Sequence, residues 1–293
     1  MPVRSLPVRS LPVMTELTSV RSPRVQAARR LAKRAFRARE RRFLAEGPQA
    51  VREALAEPGA VIELFHTREA AAREPSLVAA AGAAGVPTTL VSAEVMKVLA
   101  QTVTPQGVVA VCHLLDRPLE TAVGAGARLV AVLAHGRDPG NAGTVIRTAD
   151  AAGADAVVLT EDSVDAYNPK CVRASAGSLF HLPIVTGVPV AAAVAALRAV
   201  GLTVLAADGH GELDLDEANA SGLLAGPTAW VFGNEAWGMP EPTRALADHV
   251  VRVPIHGRAE SLNLATAAAV CLYASAGVHR KGIEGPLARR TPG

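Results

Sequence analysis

From residue 42 onward the chain alternates short apolar runs with stretches whose apolar positions recur every three or four residues. RFLAEG (42–47), VIELFH (61–66), TTLV (88–91) and GVVAVCHL (107–114) read as short strands in a pattern that alternates with helical runs. Between them PQAVREALAE, a run from about Glu69 to Ala84 and AEVMKVLAQ carry a helical period, with Pro75 a candidate break in the second. Six short apolar runs follow. They are Arg128–Ala134, Asp155–Thr160, one within EDSVDAYNPKCVRASAGSLFHLPIV, Leu202–Asp208, Ala229–Phe232 and Val250–Val253. Most are separated by helical stretches such as VPVAAAVAALRAVG, which predicts a parallel sheet covered on both faces. The pattern divides the chain into an extension (1–20), a small α/β unit (21–114), a linker (115–126), a larger α/β domain (127–280) and a flexible tail (281–293).

The most uniform stretch is Leu262–Ala276, apolar or small throughout except for Asn263, Thr266 and Ser275. Without a charge, it predicts a helix buried on most sides. Val250, Val251 and Val253 lead into Pro254 and a polar loop, so strand, loop and helix follow one another in the manner of a ligand site at a strand end. Ser261 sits at the helix mouth, where it either caps the helix or faces a ligand.

Composition narrows the classes. Aromatic residues make up only 3%, against an extended aromatic platform for stacking bases. No apolar run reaches the roughly 18–20 residues that span a bilayer. Cys112, Cys171 and Cys271 are far apart with no Cys-x-x-Cys pair, so neither a zinc site nor a disulfide framework is expected, and a reduced cytoplasmic setting follows. The histidines His135, His181, His210 and His256 show no ligand spacing, so no metal is assigned. Gly124-Ala-Gly126 precedes a strand instead of following one and fails as a dinucleotide fingerprint, and there is no phosphate-binding Gly-x-x-x-x-Gly-Lys loop.

Charge is uneven. Residues 1–52 hold 13 Lys and Arg against 3 acids, and the rest holds 17 against 24. PVRSL occurs twice at the start, a Pro-rich basic repeat expected to be disordered, with Met14 a candidate true start. The main basic block is RVQAARRLAKRAFRARERR (24–42). Val25, Ala28, Leu31, Ala32, Ala35 and Phe36 share one helical face and arginines cover the rest. That surface is either a solvated helix face or a phosphate-binding surface for nucleic acid, with Arg24, Arg29, Arg30, Lys33 and Arg37 as contacts.

Three runs carry a family signature. NAGTVIRTADAAGA, FGNEAWGM and VPIHGRAESLNLATAAAV follow one another with the order and spacing of the three motifs of the SpoU (TrmH-type) branch of the SPOUT RNA methyltransferases. The resemblance covers about residues 128–277. It implies an α/β fold: a C-terminal SPOUT domain with a parallel sheet and a trefoil knot, preceded by a small L30e-like α/β RNA-binding domain. It implies methylation of an RNA ribose 2′-hydroxyl from S-adenosylmethionine, with ribosomal RNA preferred, and a homodimer. A tRNA ribose methyltransferase and a non-catalytic RNA-binding protein that keeps the fold are the alternatives.

Matched to the family's motifs, Asn141, Arg147, Glu235, Ser261 and Asn263 are implied as polar active-site residues. Leu205, Ala206, Ala207, Gly233, Val253, Ile255, Ser261 and Leu262 are implied as cofactor contacts. The family's arginine is given the proton-removing role, but a guanidinium with a pKa above about 12 is a poor base. Alignment of a phosphate and the 2′-hydroxyl suits Arg147 better, with simple pairing to Asp150 as the plainer reading. Lys170 and Arg173 fall in a segment like the family's basic-Ser-Ala-Gly-Ser run and are further RNA-phosphate candidates, helix capping being the alternative there.

Overall fold

The alternation in the first half of the chain produces a four-stranded mixed sheet. The structure, a computed structural model, describes residues 15–234 and 237–283. Helices α1 (Pro23–Arg30) and α2 (Arg34–Glu40) lead into β1 (Arg42–Glu46), α3 (Pro48–Ala56), β2 (Val61–His66), α4 (Arg68–Arg73), α5 (Pro75–Ala83), β3 (Thr88–Leu90), α6 (Ala93–Leu99) and β4 (Val108–His113). Pro75 does break the second helical run, and Thr67 and Ser92 cap α4 and α6 through their side-chain oxygens. The strand order is β1-β4-β2-β3, antiparallel except for the β2–β3 pair. Leu17 bridges Val91, its N–H donating to the Leu90 carbonyl at 2.8 Å. Residues 15–20 thus lie along this sheet and are not part of a disordered extension; the PVRSL repeat lies outside the described residues.

The basic block is not one helix. Lys33 is extended (φ −97°, ψ 133°), so α1 and α2 are separate. The break has a physical cause: Leu31 drops into the core, and Arg37 folds back to donate from Nη1 to the Leu31 and Ala32 carbonyls, both at 2.8 Å. A guanidinium satisfies the carbonyls that the end of α1 would leave bare.

The second half continues with α7 (Leu119–Ala122), β5 (Leu129–Leu133), α8 (Pro139–Ala152), β6 (Ala156–Thr160), α9 (Pro169–Ala174), β7 (Ile184–Val188), α10 (Val190–Ala199), β8 (Thr203–Ala207), β9 (Leu213–Asp214), α11 (Leu215–Ala220), β10 (Thr228–Phe232), α12 (Glu241–Arg244), β11 (His249–Arg252) and α13 (Leu264–Ile283). All strand pairs are parallel, in the order β7-β6-β5-β10-β8-β11-β9. This sheet has seven strands, one more than the six apolar runs predict: the two-residue β9 is too short to leave a pattern. α11 also escaped the pattern, although Asp214 and Glu217 form a capping box at its start.

Both faces of the sheet are sealed, as parallel sheets require. Leu129, Ala131 and Leu133 of β5 point into one core with Trp230 and Phe232 of β10; Val130, Val132, Ala229 and Val231 point into the other. The linker is not loose. Leu119, Ala122 and Val123 are buried in that second core, and Arg117 N–H donates to the Ile184 carbonyl at 2.8 Å.

Helix α13 is buried on one face only. Leu264, Ala265, Ala268, Cys271, Leu272, Ser275 and Ala276 face the sheet, whereas Val270 and Tyr273 are exposed. The expectation of burial on most sides fails because small residues occupy both faces and polarity could not tell them apart. Ser275 is paid no desolvation penalty: Trp230 Nε1 donates to it at 2.9 Å and Thr228 at 3.2 Å. The helix also runs to Ile283, beyond the boundary read at 280.

The two halves share one core. Phe43 of β1 packs against the rings of Tyr167 (4.9 Å) and Phe180 (6.0 Å). Four polar ties surround this contact. Arg37 binds Asp165 through Nη2 (2.6 Å) and Nε (3.0 Å), Arg173 reaches Glu46 (3.4 Å), Arg41 reaches Asp116 (2.9 Å), and His181 lies between Asp150 (2.8 Å) and Glu53 (3.2 Å).

The Arg37–Asp165 pair is almost wholly shielded, with side chains 4% and 15% exposed. Removing one partner strands the other charge, so Arg37→Met is expected to cost about 3 kcal/mol in denaturant unfolding. Arg37→Met combined with Asp165→Asn should cost clearly less than the sum of the two. Strict additivity would show that the pair does not couple.

The pKa of His181 is raised, chiefly by the hydrogen bond with Asp150; burial opposes the rise and Glu53 adds to it. A raised folded pKa means the imidazolium is favoured in the folded state. Its stabilisation is complete below the ordinary histidine value of about 6.5 and is lost as pH rises through the raised folded value. Urea midpoints of wild type and His181→Gln should therefore differ in mild acid and converge at alkaline pH; a gap that grows with pH would contradict this account.

Candidate functional site

β5, β10, β8 and β11 are consecutive neighbours, and all four point the same way. Their C-terminal ends lie along one edge of the sheet, and the loops that leave them carry most of the polar candidates. Asp138 caps α8, accepting from Asn141 N–H at 2.8 Å, and Lys170 Nζ binds its other oxygen at 2.7 Å. The Lys170 hydrogen bond, joined by that of Asn141 N–H, holds the Asp138 carboxyl below the usual carboxylate range. Lys170 is therefore engaged in fixing the start of α8.

Asn263 caps α13: its Oδ1 accepts from Ala265 N–H at 2.9 Å, and its Nδ2 donates to Asn141 Oδ1 at 3.1 Å. The first and third sequence motifs meet through these two amides, 122 residues apart. Ser261 is exposed and the cap falls to Asn263 instead. Glu235 lies outside the described residues. Arg147 projects from α8, exposed and without an ion pair among the described residues; Asp150, its plainer partner in the sequence, binds His181.

The helix geometry here depends on one glycine. A Cβ at Gly143 would sit 2.3 Å from the Cys171 carbonyl and 2.6 Å from the Ala174 Cβ, so only glycine lets α8 and α9 pack this closely.

The expected cofactor contacts divide into two groups. Leu205 and Ala206 are wholly buried, and their backbone pairs with β10 on one side and β11 on the other. They build the sheet, leaving Ala207 as the strand-end residue. Ala207, Gly233, Val253, Ile255, Ser261 and Leu262 lie at or beyond the ends of β8, β10 and β11; Ile255 (39%) and Leu262 (37%) are exposed apolar residues. Backbone beyond the ladders and uncovered apolar side chains are what an adenosine joined to a thioether chain would use, so these residues fit such a group.

Several residues at this edge left no signal that pattern reading could use. Asp208, directly after β8, is buried; its carboxylate accepts from His210 N–H at 2.9 Å and pairs with the His210 ring at 3.0 Å. Burial pushes this carboxyl up, but those bonds and one from Met239 N–H outweigh it and leave the group below its ordinary value. Asp208 thereby joins the loops after β8 and β10. Asn234 and Gly238 exchange backbone hydrogen bonds of 2.7 and 3.0 Å, closing the turn after β10, and Asn234 Nδ2 donates to the His135 carbonyl at 2.9 Å. Trp237, inside that turn, lies against His135 with ring centroids 5.7 Å apart.

The basic candidates scatter. Arg29, Arg30 and Lys33 are exposed. Arg24 pairs with Glu63 at 3.2 Å, Arg173 with Glu46, and Arg37 is buried against Asp165, so Arg37 cannot meet a phosphate. Arg34 and Arg137, absent from the candidates, line an open cleft of about 400 Å³ between the domains together with Asp162 and Asn168. That cleft lies beside the ends of β5 and β6, not at the β8–β11 strand ends. Cys171 and Cys271 are buried, which pushes each thiol up to about 12 and makes them inert packing groups.

A family model described as the SpoU rRNA Methylase family matches residues 128–273, and one described as the MRM3-like substrate binding domain matches residues 22–110. The chain is 36% identical over 261 residues to the 23S rRNA (guanosine(2553)-2′-O)-methyltransferase of Bacillus subtilis (strain 168), covering 89% of this chain and 98% of that one. Among solved structures it resembles the AdoMet-bound rRNA methyltransferase from Sinorhizobium meliloti, with TM-score 0.76 and 30% identity, covering 89% of this chain and 97% of that one. It likewise resembles the SpoU methyltransferase AviRb from Streptomyces viridochromogenes in complex with AdoMet, with TM-score 0.76 and 31% identity over 90% of this chain and all of that one (100%).

Proposed function

The chain belongs to the SpoU rRNA methylase family, and from that premise we propose that it methylates a ribose 2′-hydroxyl of ribosomal RNA, using S-adenosylmethionine. The observation that carries this reading is the Asn141–Asn263 contact, which joins the first and third signature motifs although β10 and β8 lie between the strands they follow. Relatives of nearly the same length include a named 23S rRNA 2′-O-methyltransferase and an AdoMet-bound rRNA methyltransferase.

S-adenosylmethionine supplies an activated methyl group on a sulfonium. The backbone around Ala207, Gly233 and Val253, with the side chains of Ile255 and Leu262, would hold it at the ends of β8, β10 and β11. Ser261, exposed on the same loop, is proposed to contact it as well. The chain's remaining task is to orient the acceptor oxygen and accommodate its proton, which is catalysis by alignment and electrostatics. Asn141 and Asn263 fix each other and position the start of α8. Arg147, exposed on the same helix, would grip a phosphate of the RNA and align the 2′-hydroxyl, with a phosphate oxygen taking the proton. Glu235 is proposed to belong to the same polar set.

Arg29, Arg30 and Lys33 are proposed as exposed phosphate contacts, with Arg34 and Arg137 extending them along the interdomain cleft. The N-terminal domain is proposed to be L30e-like and to bind the RNA, and the loops after β10 and β11 to thread as a trefoil knot. No helix among the described residues is long and apolar enough to cross a membrane; a cytoplasmic setting is proposed, consistent with ribosomal RNA as substrate. The exposed apolar face of α13, with Val270 and Tyr273, supports a homodimer. Sedimentation at micromolar protein should show about twice the 30.2 kDa chain mass; a monomer alone would remove this element.

The wild-type protein should transfer labelled methyl from S-adenosylmethionine to ribosomal RNA purified from cells that lack the gene, and failure to do so would overturn the reading. Arg147→Ala should keep cofactor affinity within a few-fold, by calorimetry, while single-turnover transfer falls about a hundredfold. Arg147→Lys should recover little, since an ammonium cannot reproduce a planar two-pronged grip. Near wild-type transfer by Arg147→Ala would remove the residue from the mechanism.

A further inference from the structure

We propose that Trp237 is a stacking platform for one unpaired base of the RNA substrate, placed beside the ribose that is methylated. The inference rests on the RNA-methyltransferase reading and adds a substrate contact to it.

The chain contains two tryptophans. Trp230 is completely buried, whereas Trp237 is 50% exposed. Half a tryptophan surface left in water forgoes the free energy that covering the ring would supply. Trp237 is also held in place instead of hanging free. Its turn is closed by the reciprocal Asn234–Gly238 hydrogen bonds, with Gly238 at φ +70°. One side of the indole lies against His135, at 5.7 Å between centroids. His135 Nε2 pairs with Thr243 Oγ1 at 3.1 Å, and its Nδ1 lies 3.5 Å from the Asp162 carboxylate. Its backbone has φ +64°, a left-handed conformation that few non-glycine residues adopt, and Asn234 Nδ2 binds its carbonyl. The ring is therefore backed on one side by His135, so a base that stacks on it loses less to ordering the protein than it would on an unsupported side chain.

Position favours a nucleobase over a protein side chain. His135 lies two residues after the end of β5 and three before Asp138, the cap of the helix that carries Asn141 and Arg147. A single exposed flat ring at this strand-end edge suits one unpaired base.

Because Trp230 is buried, quenching of tryptophan emission by a bound ligand reports on Trp237. The full-length protein would be titrated with single-stranded polyadenylate and with ribosomal RNA from cells lacking the gene. Both should quench the emission, and a fully paired RNA duplex should quench much less. Trp237→Ala and Trp237→Leu should each lower affinity for the ribosomal RNA about tenfold, the usual size of one base–aromatic stack. Trp237→Phe should recover most of that loss, and all three should bind S-adenosylmethionine as wild type does. Trp237→Leu binding RNA like wild type would overturn the proposal. So would an emission that changes on dilution without RNA, since a second copy of the chain would then be covering the ring. Quenching in the wild-type protein does not depend on how any variant folds. It is also separate from methyl transfer, so loss of transfer with quenching intact would fault the enzymatic reading and leave the stacking contact standing.

Discussion

Because β5, β10, β8 and β11 are parallel neighbours with both faces covered, polar side chains can leave this part of the sheet only where the strands end. Every feature of the candidate site follows from that restriction. Ala207, Gly233 and Val253 come together since their strands are adjacent, although 46 residues of chain separate the first from the last. The sheet interior carries no chemistry, and Leu205 and Ala206 show what happens one or two residues too early: both backbone and side chain are consumed by the fold. Helix caps then convert the edge into a site. Asp138 and Asn263 each satisfy a helix start, and in doing so bring Asn141 and Asn263 into contact.

The basic excess of the first 52 residues serves two purposes that composition cannot separate. Arg37, Arg41 and, from the other domain, Arg173 are drawn into pairs across the interface or linker, where carboxylates of the more acidic C-terminal half meet them or Glu46 does. In the block, Arg29, Arg30, Lys33, Arg34 and Arg42 remain turned to solvent without a carboxylate partner among the described residues. An arginine that ends a helix, binds two carbonyls and neutralises a buried aspartate looks no different in sequence from one that meets a phosphate. The difference is decided by what lies opposite, and Asp165 is 128 residues away.

Local pattern determined much of this protein. Apolar runs marked all four strands of the first sheet and six of the seven in the second, because side-chain burial imposes local hydrophobicity. Pro75 ended a helix as its missing N–H requires. The three motifs showed which strand ends carry polar residues. Tertiary structure alone decided the rest: that the ends of β10, β8 and β11 adjoin, that Asn263 and not Ser261 caps α13, that the basic block bends at Lys33, and that Asp208 and His135 fasten the loops around Trp237. The physical reason is the same throughout. Periodicity reports what one residue does relative to its own helix or strand, whereas a cap, an ion pair or a packed ring depends on a group supplied by another element, and no local pattern encodes which one that is.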